Sequence, residues 1–102
     1  SSSDSHLKNV LGPIEGMCEK LKSVQPVYYE FKADQSKTRK VGVLAQEVQA
    51  ICPQIVTTDP EGWLGIAYQD VVPLLLASIR ELTTRVEALE ATNIRKAVKK
   101  SR

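Results

Sequence analysis

The last third of the chain carries the pattern that most limits what it can fold into. Apolar residues recur there in alternating steps of four and three, which is the heptad spacing of a coiled coil. An isolated helix of this kind is marginal in water, so the pattern predicts one long helix that associates with copies of itself. Ile79 and Val86 take the a positions, and Leu75, Leu82 and Leu89 take the d positions; together these five residues are called the seam.

Charged residues beside the seam indicate parallel helices. Arg85 falls at g and Glu90 at the following e, which is the pair that bridges parallel partners. Glu81 and Arg85 add a favourable i,i+4 ion pair within one helix. β-branched residues at a with Leu at d favour two helices, but two heptads are too few for this rule to set the number of copies. Asn93 continues the a series, where it either fixes the register or is simply solvated.

The rest of the chain predicts a small α+β body, mostly helical. The apolar block 71–76 is too broad for a coiled-coil stripe alone, so its other faces should cover this body. Period-two alternation predicts a hairpin arm with a flexible polar tip at 33–40, and Trp63 and Tyr68 are expected in the core. The predicted elements are helix 13–23, strands 27–31 and 41–44, helix 45–52, strands 54–57 and 63–67, and the long helix, capped by Asp70.

Length and composition exclude several classes of protein. With 102 residues the chain is one domain at most, divided into a lead-in (1–8), the body (9–69) and the coiled-coil helix (70–102). A net charge of +2 is too small to indicate nucleic-acid binding, and no apolar run reaches the roughly 18 residues of a membrane span. With one histidine and no Gly-rich phosphate loop, no metal or cofactor is expected. Cys18 and Cys52 lack a metal-binding spacing and are expected to be buried free thiols.

One pair of residues suits catalysis. Ser3 and Lys8 are five residues apart, and a chain that folds back between them can join the hydroxyl to the amine. In a Ser-Lys dyad the lysine must be neutral to take the hydroxyl proton, so a side chain that titrates near ~10.4 in water must be brought toward roughly 7–8. Asp4 is positioned to cap the intervening turn. The same spacing also suits a solvated lysine beside a capping serine, which is the commoner arrangement.

Three stretches resemble one known family in order and spacing, and together they span nearly the whole chain. SDSHLKNV (3–10) is similar to the family's Ser-Asp-x-x-x-Lys motif. VGVLAQEVQAICPQIV (41–56) is similar to its Gly-Val-x-Ala-Gln-Glu-Val core, and GIAYQDVVPLLLASIREL (65–82) resembles its Tyr-x-x-x-x-Pro-Leu-Leu helix start. The family is the C-terminal intramolecular chaperone, or auto-processing domain, of phage tail fibres and tailspikes of the endosialidase type.

The resemblance implies a role for each matching residue. Ser3 would be the nucleophile and Lys8 the base of a self-cleaving serine endopeptidase that acts once, in cis. The scissile bond would be Ser2–Ser3, although the neighbouring serines leave the exact bond open among residues 1–3. The residues that would support the site are Asp4, His6, Gln46 and Glu47. Alternatively, His6 is solvated, and the last two residues form hydrogen bonds around the strand-to-helix turn.

The resemblance also implies an assembly. Members form homotrimers through a parallel coiled coil, template the folding of the fibre or tailspike upstream in the same polypeptide, and are then released. Such a domain would act in the host cytoplasm during virion assembly, be absent from the mature virion, and bind neither nucleic acid nor membrane. Its hairpin arm would contact the client. The alternatives are a non-catalytic trimerisation module, or the related self-cleaving domain of a membrane-tethered transcription factor.

Overall fold

The computed structural model describes residues 2–101, in which a small body lies against a long C-terminal helix. About half of the residues are helical, so the predicted α+β class with a long last helix is confirmed, with a smaller helical share than predicted. In chain order the elements are a 3-10 turn Ser5–Leu7, α1 Met17–Leu21, β1 Val27–Tyr29, β2 Lys40–Gly42, α2 Ala45–Ile51, a 3-10 turn Pro53–Ile55, β3 Val56–Thr58, β4 Leu64–Ile66 and α3 Tyr68–Lys100.

The four strands form two separate antiparallel hairpins. β1 pairs with β2, with Val27 opposite Gly42, and β3 pairs with β4, with Val56 opposite Ile66. The predicted hairpin arm is therefore present, although β1 ends before Phe31 and β2 begins one residue early.

The core is thin and is shared among the helices and the second 3-10 turn. α3 covers the body as the breadth of its apolar block predicts: Val71 and Ala77 pack on the core, whereas Val72 and Leu76 remain exposed. Each fully buried aliphatic side chain contributes about 1.5–3 kcal/mol, so a core of this size depends on every member. The buried apolar residues are Met17, Val48, Ile55 and Leu74.

A carboxylate from α3 caps the first helix. Glu81 accepts hydrogen bonds from the backbone N–H groups of Met17, at 2.8 Å, and Cys18, at 3.3 Å. A five-residue helix preceded by Gly16 has no capping side chain of its own, so Glu81 satisfies N–H groups that would otherwise lack partners. These bonds, the one from Met17 first, hold the pKa of Glu81 below its ordinary value. The predicted pairing of Glu81 with Arg85 is wrong, because this carboxylate is committed to α1.

Both cysteines are free, as predicted, but they are only half-buried. The Cys18 thiol donates to the backbone carbonyl of Ser78 at 3.2 Å, which adds a second tie between α1 and α3. Burial, followed by the nearby Glu81 carboxylate, raises the pKa of the Cys18 thiol. The Cys52 thiol donates to the side chain of Gln54 at 3.3 Å.

Several predicted helix bounds are wrong for local reasons. α1 begins at Met17 rather than at Pro13, because Gly16 takes a left-handed φ of 68° just before it. α3 begins at Tyr68, two residues before the predicted cap. Asp70 therefore lies inside the first turn of α3 instead of capping it.

Two aromatic residues expected in the core are exposed, namely Trp63 and Tyr68. The Tyr68 hydroxyl instead accepts a bond from the Val43 backbone N–H at 3.4 Å, which ties the end of the hairpin arm to the start of α3. A Cβ atom on Gly42 would meet this hydroxyl at 2.8 Å, so a larger residue there would displace the Tyr68 side chain.

The tip of the hairpin arm is a hydrogen-bonded turn rather than the flexible loop predicted. The Asp34 carboxylate accepts from the Ser36 hydroxyl at 2.6 Å, and from the backbone N–H groups of Ser36 and Thr38 at 3.0 and 3.1 Å. These bonds, led by the one from the Ser36 hydroxyl, lower the pKa of Asp34.

The Glu81 cap makes stability depend on pH. We expect Glu81→Gln to lower the melting temperature at pH 7, because glutamine keeps one acceptor oxygen but loses the charge and the second acceptor. The pKa of folded Glu81 lies below 4.5, so this stabilisation is complete above that pH and is lost as the pH falls through the folded value. Melting curves by circular dichroism at pH 7 and pH 3 should show the gap to wild type closing. Glu87→Gln, an exposed change on the same helix, is the control, and an equal effect of both variants would contradict the capping role.

Candidate active site

A short turn in the lead-in folds the chain back on itself. Asp4 precedes the 3-10 turn Ser5–Leu7 and caps it, because its carboxylate accepts from the His6 backbone N–H at 2.9 Å. The same oxygen lies 2.8 Å from Nδ1 of His6, which donates because a carboxylate can only accept. The Lys8 backbone N–H closes the turn on the Ser5 carbonyl at 3.2 Å. The predicted capping role of Asp4 is therefore confirmed.

This turn brings the two candidate catalytic residues together. Nζ of Lys8 lies 2.8 Å from Oγ of Ser3, which is hydrogen-bond distance. The ammonium form of the lysine donates to this hydroxyl; the neutral amine can accept the hydroxyl proton instead. The carbonyl that the serine would attack belongs to Ser2, the adjacent residue. Ser1, part of the open range for the scissile bond, lies outside the described residues.

The negative charge nearest in sequence to the dyad is paired elsewhere. The bonds from His6, the backbone one first, hold the pKa of Asp4 below its ordinary value of 3.8, so Asp4 is ionised at neutral pH. That charge faces His6, and none of the ion pairs found within residues 2–101 includes Lys8. The lysine is thus bonded to the Ser3 hydroxyl rather than paired with a carboxylate.

The dyad stands open to solvent in the single chain. Ser3 and Lys8 are both exposed, as are the residues of the turn between them. Water stabilises an ammonium group, whereas burial favours the neutral amine that a base requires. The Ser3–Lys8 contact is therefore present, but the described chain does not supply the dry environment that would favour a neutral amine.

Gln46 and Glu47 lie in the first turn of α2, away from the lead-in in sequence. Glu47 accepts from the backbone N–H of Gln25 at 3.1 Å, so it ties the segment before β1 to α2. Gln46 is exposed, and no hydrogen bond within residues 2–101 joins either residue to Ser3 or Lys8. The bond from Gln25 lies outside the strand-to-helix turn, so the hydrogen-bonding alternative is not matched either, and a supporting role for Gln46 and Glu47 near Ser3 stays a prediction.

The seam forms an unpartnered strip along α3. Its five side chains are 48–64% exposed, which leaves the predicted coiled coil open as an association surface. A second set of apolar residues near the N-terminus, Leu7, Val10 and Leu11, is also exposed, and the sequence patterns assigned it no role. The signal that could have drawn attention to it is the presence of three large apolar side chains within five residues of an otherwise polar segment.

No group of acidic, histidine or cysteine side chains within residues 2–101 could hold a metal ion. No helix in that range has the length and apolar character needed to cross a membrane.

Comparison with known proteins identifies the family. The family model described as the chaperone of endosialidase matches residues 3–57, which include the dyad and the first turn of α2. The chain is also similar to the long tail fiber protein Gp37 of Escherichia phage AR1, with 37% identity over an alignment of 87 residues that covers 78% of this chain. It spans 8% of the length of that relative. These matches confirm the resemblance seen in the sequence motifs, and the chain belongs to the chaperone of endosialidase family.

Proposed function

We propose that this chain is the C-terminal intramolecular chaperone of a phage tail fibre or tailspike, and that it releases itself by cutting its own polypeptide. Membership of the family and the likeness to a tail fibre protein support the chaperone role. The observation that carries the self-cleavage is the 2.8 Å contact between Lys8 Nζ and Ser3 Oγ, immediately after the peptide bond that would break.

The first step is an acyl shift from nitrogen to oxygen. The neutral Lys8 amine takes the proton of the Ser3 hydroxyl, and Oγ attacks the carbonyl carbon of Ser2. The tetrahedral intermediate collapses with cleavage of the C–N bond, and the lysine returns its proton to the departing nitrogen. An ester now joins the Ser2 carbonyl to Ser3 Oγ, and Ser3 carries a free amine.

Hydrolysis of this ester completes the release. Lys8 removes a proton from a water molecule, which attacks the ester carbon, and the Ser3 hydroxyl is regenerated as the C–O bond breaks. The upstream chain ends in the carboxylate of Ser2, and the released domain begins at Ser3. The enzyme therefore acts once, on itself.

The exposed seam supports a parallel trimer. Three copies would bury the seam residues against one another, with Arg85 and Glu90 bridging neighbouring helices. Three long client chains must meet in register, which carries a large loop-closure cost. A trimeric domain that joins their C-terminal ends raises the effective concentration of each chain near the others. Cleavage would then make the process irreversible and leave a kinetically trapped fibre.

The hairpin arm is the proposed contact with the client. Its basic residues lie between the end of β1 and the first residue of β2, and Arg39 lies 4.8 Å from the ring centroid of Tyr28, so one cation stacks on an exposed aromatic. The partner is the upstream segment of the same polypeptide, and the site of action is the host cytoplasm during virion assembly. The basic residues of the tip are Lys32, Lys37, Arg39 and Lys40.

Self-cleavage can be tested on a fusion that carries about 50 residues of the native upstream segment. We expect wild type to run as two fragments on a denaturing gel, whereas Ser3→Ala and Lys8→Ala stay at full length, because one lacks the nucleophile and the other the base. Mass spectrometry of the released fragment should place its first residue at Ser3.

Two substitutions serve as controls for this experiment. Ser5→Ala removes a neighbouring hydroxyl and Lys20→Ala removes an exposed amine on α1, so both should cleave as wild type does. If wild type and all variants remain at full length, the chain is a non-catalytic folding module.

Self-association can be tested by light scattering at micromolar concentration. We expect the chain to have three times its monomer mass and Val86→Asp to be monomeric, because a charge at an a position cannot be buried without a partner. Ala88→Asp, on the opposite side of the same helix, should keep the mass of wild type. An unchanged mass for Val86→Asp would contradict the proposal that the seam holds the copies together.

A further inference from the structure

We propose that the imidazole of His6 holds the Asp4 carboxylate away from Lys8, which makes His6 a positioning residue of the dyad. The lysine then bonds the Ser3 hydroxyl instead of an anion. The inference rests on the proposed self-cleavage and adds to it what decides the partner of the base. His6 falls on an unspecified position of the Ser-Asp-x-x-x-Lys motif, so this action comes from contacts particular to this chain.

The turn that joins the dyad is supported by its own residues. Every hydrogen bond found for residues 3–8 joins two members of that stretch. Neither of the ion pairs found within residues 2–101 ties the turn to the body. A single 3-10 turn exposed to water is marginal by itself. Side-chain contacts within the turn therefore decide which acceptor Lys8 meets.

Two competing acceptors for Lys8 lie on adjacent residues. Nζ is 2.8 Å from Oγ of Ser3, and the next residue is Asp4, the only acidic residue among residues 1–14. Asp4 and Lys8 cap the two ends of the same three-residue turn, so rotation about side-chain bonds can exchange the hydroxyl for the carboxylate. For an ammonium group the carboxylate is the stronger acceptor.

An ion pair between Lys8 and Asp4 would disable the base. An opposite charge favours the ammonium form of a lysine, and an ammonium group has no lone pair with which to take the serine proton. The pair would also draw Nζ away from the hydroxyl it must deprotonate. The dyad therefore needs the Asp4 carboxylate as the cap of its turn, but not as a partner of its lysine.

His6 separates these two effects of Asp4. Oδ1 of Asp4 accepts from the His6 backbone N–H at 2.9 Å and from Nδ1 of the ring at 2.8 Å. The backbone bond caps the turn, and the second bond to the same oxygen directs the carboxylate toward the imidazole. Oδ2 accepts no hydrogen bond found within residues 2–101, so it is the atom that Lys8 would pair with if the carboxylate turned.

The pH dependence of cleavage in the self-cleavage fusion tests this role. His6→Ala keeps the backbone N–H that Asp4 caps and removes only the imidazole. We expect the pH of half-maximal cleavage rate to rise by roughly half a unit and the rate at pH 7 to fall about threefold, which is the scale of an exposed ion pair. His6→Asn should restore both values, because its amide nitrogen is as many bonds from Cα as Nδ1 and also donates.

Two further substitutions control this experiment. Asn9→Ala removes an exposed side chain beside Lys8 that forms no hydrogen bond found within residues 2–101, and it should cleave as wild type does. Asp4→Asn keeps an acceptor oxygen for the cap but removes the charge, so adding His6→Ala to it should not raise the pH of half-maximal cleavage. A rise that persists without the Asp4 charge, or a wild-type profile for His6→Ala alone, would overturn the proposal.

Failure of self-cleavage itself would give a different result. A wild type that stays at full length at every pH would overturn the proposed cleavage, and the action of His6 is then measured by NMR on the intact chain. A nuclear Overhauser contact between the side chains of Ser3 and Lys8 should be present in wild type and His6→Asn and lost in His6→Ala. An equal contact in all three chains, whether present or absent, would overturn the role of His6.

Discussion

The packing of α3 against α1 organises the described chain. Leu74 places an apolar side chain in the core, and Glu81, two turns further along the same side, holds the backbone of a helix too short to cap itself. These contacts set the rotation of α3 relative to the body. Because the body covers one side of the helix, the seam residues beside it remain 48–64% exposed.

The candidate active site is organised in a different way from the body. Ser3 and Lys8 meet through a turn of only five residues, capped by Asp4, so their contact needs no support from the core. A contact built this locally does not depend on the folding of the body. Both side chains are exposed to water in the described chain.

The successes of the sequence analysis share a physical cause. The long last helix, the hairpin arm, the helix 45–52 and the Ser3–Lys8 contact depend on periodicity, turn residues and spacings of a few positions, which act over short stretches of chain. The errors also share a cause. The partner of Glu81 lies 64 residues away in sequence, and the exposure of Trp63 and Tyr68 depends on how far a small core extends. Neither a propensity nor a pattern contains that information.

The amino-acid sequence alone determined that this chain has a long heptad helix, a compact α+β body and a serine within reach of a lysine, because each follows from local spacing. Only the tertiary structure decided that Glu81 caps α1, that Trp63 and Tyr68 remain exposed, and that Ser3 and Lys8 stand in solvent. Those features depend on which side chains from distant parts of the chain pack together and which do not.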